Sequence, residues 1–129
     1  FDFCVDEDQT VYIADYDNHR IMAWKIGSIT GELVAGGNGA GYQPYQLNSP
    51  TSVIIDQSTG SLVICDRGNG RIVRWPLQRF ADPSIRSPNE GQVIISNIDC
   101  FLLAMDHAGS LYLSDLTKNE IRRYERGDR

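Results

Sequence analysis

Six aspartates recur along the sequence at positions where carboxylates could bind a cation. They are Asp6, Asp15, Asp56, Asp66, Asp106 and Asp115. Carboxylate oxygens suit Ca²⁺, but a calcium site needs several ligands that converge on one point. These aspartates instead recur singly at the ends of short apolar stretches, where a carboxylate accepts backbone N–H hydrogen bonds of a turn. We therefore interpret them as turn-capping residues and expect no metal and no cofactor.

The histidines and the glycine-rich segment do not suggest a catalytic site. His19 and His107 are the 2 histidines of the sequence, and neither is spaced for a Ser-His-Asp or Cys-His arrangement. The glycine-rich residues 36–41 match no phosphate-binding loop, and no helix pattern follows them. We expect two surface turn histidines, a flexible connection at residues 36–41, and no catalytic residue.

The three cysteines leave two alternatives open. Cys65 and Cys100 should lie near the same face, and a disulfide between them would add about 3–4 kcal/mol of stability. Such a bridge would leave Cys4 as an unpaired third cysteine, so the sequence favours two unrelated buried thiols at positions 65 and 100. A Cα separation above about 7 Å would rule out the bridge. No cysteine pair has the spacing typical of a zinc site.

The overall charge makes nucleic acid an unfavourable partner. The net charge is −5 with a pI near 4.8, whereas nucleic-acid binders usually carry a basic surplus. No apolar run approaches the roughly 18 residues that a membrane span needs. We also see no basic segment followed by an apolar stretch, so no signal peptide is expected, and the compartment is left unassigned.

An internal repeat organises these residues. Residues 12–24, 63–75 and 112–124 align without a gap, with an isoleucine and then an aromatic residue at matched positions. The matched aspartates Asp15, Asp66 and Asp115 lie 51 and 49 residues apart. A period near 50 residues indicates a repeat architecture in which each unit packs on its neighbours.

Each unit has the pattern of short antiparallel strands. A short apolar stretch, a polar turn and a second strand form a hairpin, and a third strand follows. Residues 31–35 and 92–95 supply a fourth strand in the first two units. Four strands per unit are typical of a β-propeller blade. The sequence therefore predicts an all-β fold of four-stranded antiparallel blades, with eleven strands or about 2.75 blades.

The turn between the second and third strands carries the most suggestive residues. Aspartate should cap this turn, asparagine should accept its left-handed conformation, and arginine should bridge nearby acceptors. Because Glu120 replaces the arginine in the third unit, that bridge cannot be made in the same way there. Trp24, Trp75 and Tyr124 should fill the gaps between neighbouring blades. The structural turn positions are Asp15, Asn18, Arg20, Asp66, Asn69, Arg71 and Asp115.

Residues 12–21 resemble an NHL repeat, with Asn18 and His19 supplying the first two letters of its name. Residues 63–72 and 112–121 resemble weaker copies, and residues 48–53 resemble the start of such a repeat. The resemblance implies a partial NHL-type propeller over residues 1–129, with repeat cores 3–35, 51–95 and 102–124. Propellers of this family usually have six blades, so further blades or a second copy are expected.

The resemblance implies a non-catalytic scaffold that binds a protein partner rather than an enzyme. Two alternatives remain open, since a fold does not determine a function. One is a fragment of an enzymatic six-bladed propeller, a metal-dependent lyase or lactone hydrolase. The other is an RNA-binding module.

Overall fold

The computed structural model describes residues 2–78 and 89–126. These residues form eleven β-strands and two short 3-10 turns, at Tyr16–Asn18 and Arg67–Asn69. The strands are β1 Phe3–Val5, β2 Val11–Asp15, β3 Arg20–Trp24, β4 Glu32–Gly36, β5 Ser52–Asp56, β6 Ser61–Asp66, β7 Arg71–Pro76, β8 Gln92–Ser96, β9 Cys100–Met105, β10 Leu111–Asp115 and β11 Glu120–Tyr124.

The strands form three antiparallel sheets in chain order. The first sheet is β1–β4, the second is β5–β8, and the third contains β9, β10 and β11. The predicted all-β fold of repeated antiparallel sheets is confirmed. In the first two sheets, the third and fourth strands shift register at matched places, between Ile21 and Met22 and between Ile72 and Val73. The sheets are thus repeats of one local structure.

The turn between the second and third strands needs one left-handed residue in each sheet. His19, Gly70 and Asn119 occupy this position, with φ of 55°, 61° and 52°. The sequence predicted that Asn18 and Asn69 tolerate this conformation and that Gly68 and Gly70 supply it more directly. Gly70 does adopt it, whereas Asn18, Gly68 and Asn69 lie inside the 3-10 turns. Asparagine and glycine adopt positive φ at low cost, which explains two of the three residues.

The core lies between consecutive sheets. One apolar cluster joins the first and second sheets and includes Ile21, Ile64 and Trp75. A second cluster joins the second and third sheets and includes Ile72 and Leu113. Every residue of β6 is buried, because the second sheet is covered on both faces. A strand covered on both faces carries apolar residues without alternation, as the Leu62–Cys65 stretch does.

The three matched aromatic residues do not all fill gaps between sheets. Trp75 is 1% exposed between the first and second sheets, and Tyr124 packs against the cluster between the second and third. Trp24 is 38% exposed, so its predicted place in an inter-sheet core was wrong. Its chain neighbour Ala23 faces the second sheet, and side chains alternate along a strand. Trp24 therefore lies on the face turned away from that sheet.

Polar contacts also join the first strands of the three sheets. The Ser52 hydroxyl donates to Asp2 Oδ2 at 2.7 Å and accepts the Leu103 backbone N–H at 3.1 Å. The Thr51 hydroxyl donates to the Phe101 carbonyl at 2.8 Å. These contacts hold β5 between β1 and β9.

A disulfide links the second and third sheets. The structure joins Cys65 of β6 to Cys100 of β9, with the Cα atoms 5.9 Å apart. The favoured expectation of two unrelated thiols thus differs from the structure, because both residues face the same inter-sheet core. Cys4 is free, and burial, followed by the charges of Asp2 and Asp6, raises the pKa of its thiol to about 12.

Truncating Trp75 to alanine should destabilise the protein far more than truncating its repeat counterpart Trp24. Emptying the buried site should lower the free energy of unfolding by about 3–5 kcal/mol in urea titrations. Trp24→Ala serves as the matched control and should cost less than half as much, because its ring already contacts solvent. Equal losses at the two positions would contradict the assigned packing.

Thiol counting tests the disulfide. Urea-unfolded protein that has not met a reductant should titrate one thiol per chain, and reduction should raise this to three. Native protein should react slowly with thiol reagents, since the Cys4 thiolate is suppressed by burial. Three thiols before reduction would show that Cys65 and Cys100 are not bridged in the protein as purified.

Candidate functional site

The turns and connections at one end of the sheets form a continuous surface, which we call the loop face. It consists of residues 16–19, 37–49, 67–70, 97–101 and 116–119. Each connection between sheets, residues 37–51 and 97–99, contacts the turns of the sheets that it joins. The loop face is therefore built from all three sheets.

Backbone hydrogen bonds attach the connections to the turns in the same way twice. Gly37 N donates to the His19 carbonyl at 3.1 Å, and Ile98 N donates to the Gly70 carbonyl at 3.0 Å. Backbone N–H groups in the turns of the following sheet also donate to carbonyls of the connections. Gly68 N bonds the Asn48 carbonyl at 2.8 Å, and Leu116 N bonds the Asp99 carbonyl at 3.0 Å. The repeat therefore extends to the way in which its connections dock.

A buried ion pair flanks the 67–70 turn of this surface. Arg71 Nε donates to Asp66 Oδ2 at 2.7 Å, and both side chains are almost fully buried. The remaining guanidinium N–H groups donate to the carbonyls of Tyr42 at 3.0 Å and Gln46 at 3.1 Å. The guanidinium also stacks on the Tyr42 ring, 4.5 Å from its centroid. One arginine thus binds the second sheet to residues 42–46 of the connection.

Asp66 completes the same network with both of its oxygens. Asn69 Nδ2 donates to Oδ2 at 2.8 Å, while the backbone N–H of Asn48 donates to Oδ1 at 2.7 Å. Asn69 also donates to the Gly41 carbonyl at 2.8 Å. The predicted turn residues Asp66, Asn69 and Arg71 are therefore brought together, and together they bind residues 41–48.

The first sheet repeats this arrangement in a more exposed form. Arg20 Nε lies 2.7 Å from Asp15 Oδ2, and Asn18 Nδ2 lies 3.1 Å from each Asp15 oxygen. Burial opposes ionisation of Asp15, but hydrogen bonds from Arg20 and Asn18 outweigh it and lower the pKa of this carboxyl. Within the described residues, Arg20 makes no hydrogen bonds to a connection like those of Arg71. The same three residue types thus close a turn here without anchoring a loop.

The third sheet differs where Glu120 replaces the arginine. Asp115 accepts the Lys118 backbone N–H at 3.3 Å, and its ion-pair partner is Arg122 at 3.9 Å. Arg122 lies two residues further along β11 than Glu120, which is the residue that pairs with Asp115 across the strands. The contact is longer than the pairs of the other two sheets.

Residues 37–49, which include most of the 36–41 connection predicted to be flexible, make several hydrogen bonds. Asn38 Nδ2 donates to the Tyr45 carbonyl at 2.9 Å, and Gln46 Nε2 donates to the Asn38 carbonyl at 3.0 Å. His19 Nδ1 accepts the Ser49 backbone N–H at 3.0 Å. The loop nevertheless presents two large side chains to solvent, with Tyr42 61% and Tyr45 48% exposed. It is a fixed support for exposed aromatic rings.

The roles of Asp99 and His19 in the loop face were not predicted from the sequence. Arg67 Nε lies 3.3 Å from Asp99 Oδ1, and its guanidinium lies 5.2 Å from the Phe101 ring centroid. The Thr117 hydroxyl donates to Asp99 Oδ2 at 2.9 Å. Asp99 lies in a connection outside the repeat alignment, so no internal comparison could identify it. His19 was expected to be a surface residue without such a role.

At the opposite end, two aspartates close hairpin turns as predicted by their spacing. Asp6 Oδ1 accepts the Thr10 N–H at 2.9 Å, and Asp106 Oδ1 accepts the Ser110 N–H at 2.9 Å. A tyrosine of the adjacent strand donates to the second oxygen in each case: Tyr12 to Asp6 at 3.3 Å and Tyr112 to Asp106 at 3.1 Å. The Ser110 backbone N–H, above all, lowers the pKa of Asp106. These carboxylates are used within their own turns.

Asp56 departs from that pattern because Leu62 stands where the other sheets have a tyrosine. Arg126 from the third sheet donates to Asp56 Oδ2 at 3.1 Å, and Ser58 donates to Oδ1 at 2.8 Å. Burial raises the pKa of this carboxyl, but the Arg126 and Ser58 bonds outweigh burial and lower it. A cleft of about 530 Å³ opens here and includes His107 in its lining.

Groups that could hold a metal ion are absent from the part of the chain that the structure describes. Within residues 2–78 and 89–126, no three or more His, Cys, Asp or Glu side chains are arranged around a common point. The same residues include no helix with the length and apolar character that crossing a membrane requires.

Comparison with known proteins reveals a fold match but no sequence family. No protein-family model matches the chain, and no curated protein matches it in sequence. Among solved structures, it is similar to an auxiliary nutrient binding protein from Bacteroides thetaiotaomicron, with a TM-score of 0.68 and 16% identity. The match covers 94% of this chain and 36% of that protein, so this chain spans about a third of its length. The two share a fold over this region.

Replacing Arg71 with alanine should lower the free energy of unfolding by about 3–5 kcal/mol, because Asp66 would be left as an unpaired buried charge. Arg20→Ala removes the matched, more exposed pair and should cost only about 0.2–1 kcal/mol. Urea titrations of both variants provide the comparison. Limited proteolysis should also cut residues 37–49 faster in Arg71→Ala than in Arg20→Ala. Similar costs for both would contradict the central role of Arg71.

Proposed function

We propose that this chain is part of an NHL-type β-propeller that acts as a non-catalytic scaffold and binds a protein partner through the loop face. The proposal has an architectural part and a binding part. Each is supported by separate observations.

The architectural part is supported by the repetition of the sheets. Three antiparallel sheets follow one another in chain order, and each packs on the next through apolar clusters. Their connections dock on the preceding and following turns in matched ways. Radial repetition of such sheets is the propeller design, in which neighbouring blades bury one another's faces. The NHL-like residues at the turns supply the network around Asp66.

The binding part depends on one observation: a buried arginine fixes a loop that exposes two tyrosines. Tyr42 and Tyr45 project from a loop whose backbone carbonyls are bound by Arg71. Tyrosine is enriched at the centres of protein interfaces, where it buries a large area at a low entropic cost. A loop already held in place loses little further freedom on binding, so more of the contact energy appears as affinity.

Charge favours a protein over a nucleic acid as the partner. Arg20, Arg67 and Arg71, which lie in or next to the loop face, are each paired with an aspartate. Neutralised arginines release few counterions from a phosphate backbone, so they would contribute little to RNA binding. The net charge of −5 also disfavours binding to a negatively charged nucleic acid.

The double variant Tyr42→Ser with Tyr45→Ser tests the binding part. Proteins retained on the immobilised wild-type chain from an extract of its source are identified and then produced in pure form. The candidate should bind the wild-type chain as a purified pair, and the double variant should weaken this binding at least tenfold. The matched control is Ile29→Ser, which removes a 93% exposed apolar side chain from the connection between β3 and β4 and should bind normally.

Loss of binding in the control as well would contradict recognition through the loop face. Undiminished binding by the double variant would also do so. A steep loss of RNA affinity with rising salt, seen in wild-type chain and absent from Arg67→Ala, would instead favour the RNA-binding alternative.

A further inference from the structure

One residue binds both ends of the connection that exposes Tyr42 and Tyr45. The His19 carbonyl accepts the Gly37 backbone N–H at 3.1 Å, and His19 Nδ1 accepts the Ser49 backbone N–H at 3.0 Å. Residues 37 and 49 are the first and last residues of this segment of the loop face. His19 therefore attaches the segment to the first sheet at both of its ends.

The matched position of the second sheet can make only the first of these contacts. Gly70 has the same left-handed conformation as His19, with φ of 61° against 55°. Its carbonyl accepts the Ile98 N–H at 3.0 Å, but glycine has no side chain that could bind a second backbone group. The imidazole contact is thus a feature that the first sheet adds to the repeat.

The backbone around the imidazole contact is unusual on both sides. His19 and Ser49 have φ of 55° and 52°, a conformation that residues other than glycine rarely adopt. Gly36 allows the connection to approach closely, since a Cβ there would lie 2.6 Å from the His19 carbonyl oxygen. Two disfavoured conformations are therefore retained where the ring meets the Ser49 N–H.

The Ser49 contact requires a neutral imidazole. A ring nitrogen accepts a hydrogen bond only when it carries no proton, whereas both nitrogens of an imidazolium are donors. A protonated His19 would direct an N–H at the N–H of Ser49, and the bond would be lost. Histidine is the side chain whose charge ordinarily changes between about pH 5 and 8. The contact is therefore present above this range and absent below it.

The other charges near the contact belong to the turns on either side. Residues 37–49 contain no Asp, Glu, Lys or Arg. The charged side chains in and beside the two turns that bind this segment are Asp15, Asp17, Arg20, Asp66, Arg67 and Arg71. Aspartate ordinarily changes its charge near about pH 4, and the tyrosines of this region near about pH 10. The change of charge between pH 5 and 8 is therefore that of His19.

We propose that His19 is a pH-sensitive positioning residue of the loop face, whose neutral ring attaches residues 37–49 to the first sheet and whose protonation detaches them and weakens partner binding. The effect on binding rests on the proposed function and adds regulation to that site. Arg71 and Asn69 still hold residues 41–46 on the second sheet, so acid separates only the turn of the first sheet. A protein partner is then held at neutral pH and released by acid.

Hydrogen exchange measured by NMR tests the attachment without a partner. The Ser49 amide should lose about fivefold in protection, relative to an unstructured peptide at the same pH, when wild-type chain is taken from pH 8 to pH 5. The Ser49 amide resonance should shift with the same midpoint as the His19 ring resonances. Protection of the Ile64 amide in β6 should stay constant, because the sheets remain folded.

His19→Asn and His19→Gly remove the titrating ring and introduce the residue types that the other sheets have at this position, so both variants should fold. Neither should show pH-dependent protection at Ser49. His107→Asn is the matched control, because it removes the other histidine, and it should behave like wild type. Equal Ser49 protection at pH 5 and pH 8 in wild type overturns the proposal. So does a pH dependence that persists in both His19 variants or disappears in His107→Asn.

Binding of the purified partner separates this proposal from the proposed function. Between pH 8 and pH 5, the affinity of wild type should fall about fivefold more than that of His19→Asn, a comparison in which any titration of the partner cancels. An equal fall in both chains overturns the regulatory role of His19. Exchange at Ser49 that depends on pH, together with no partner binding at either pH, supports the attachment by His19 and counts against the proposed function alone.

Discussion

The buried pair of Arg71 and Asp66 determines how the second sheet meets the connection that precedes it. Its two side chains bind an asparagine of the turn, a backbone N–H and several carbonyls of residues 41–48. Each of these polar groups would be costly to bury alone, and the network satisfies them together. The exposed rings of Tyr42 and Tyr45 therefore stand on a support that depends on one ion pair in the protein interior. The loop face owes its shape to this constraint.

Repetition explains why much of the fold could be predicted from sequence. Matched isoleucines, aspartates and aromatic residues identified the strands and the turn residues that contact one another at Asp15 and Asp66. The predictions failed where the place of a sheet in the row of three, and not the repeat pattern, determines whether a residue is buried. Trp24 has the sequence context of Trp75 but lacks a covering sheet, so identical local patterns give different burial. The left-handed residue was correctly predicted at Gly70, but in the first sheet it is His19 and not Asn18.

The other contacts that could not be predicted involve the connections between the sheets. Asp99 and residues 37–49 lie outside the aligned segments, and their contacts join residues far apart in the chain. Glycine-rich composition indicated flexibility, yet the loop is bound by side chains from another sheet that no local pattern reveals. Substitutions within the repeat show the same dependence on neighbours. Leu62 replaces a tyrosine, and Arg126 from the next sheet donates to Asp56 where the other sheets use that tyrosine.

The disulfide between β6 and β9 divides the molecule unequally. It ties the second and third sheets covalently, while the first sheet is held only by side-chain packing and hydrogen bonds. Separating the first sheet exposes one interface without breaking a covalent bond, whereas the other two sheets remain linked even when their packing is lost. Amide hydrogen exchange should therefore be organised in two cooperative units. The first sheet would be the unit that opens at lower free energy, and residues 37–49 would form the boundary between the two.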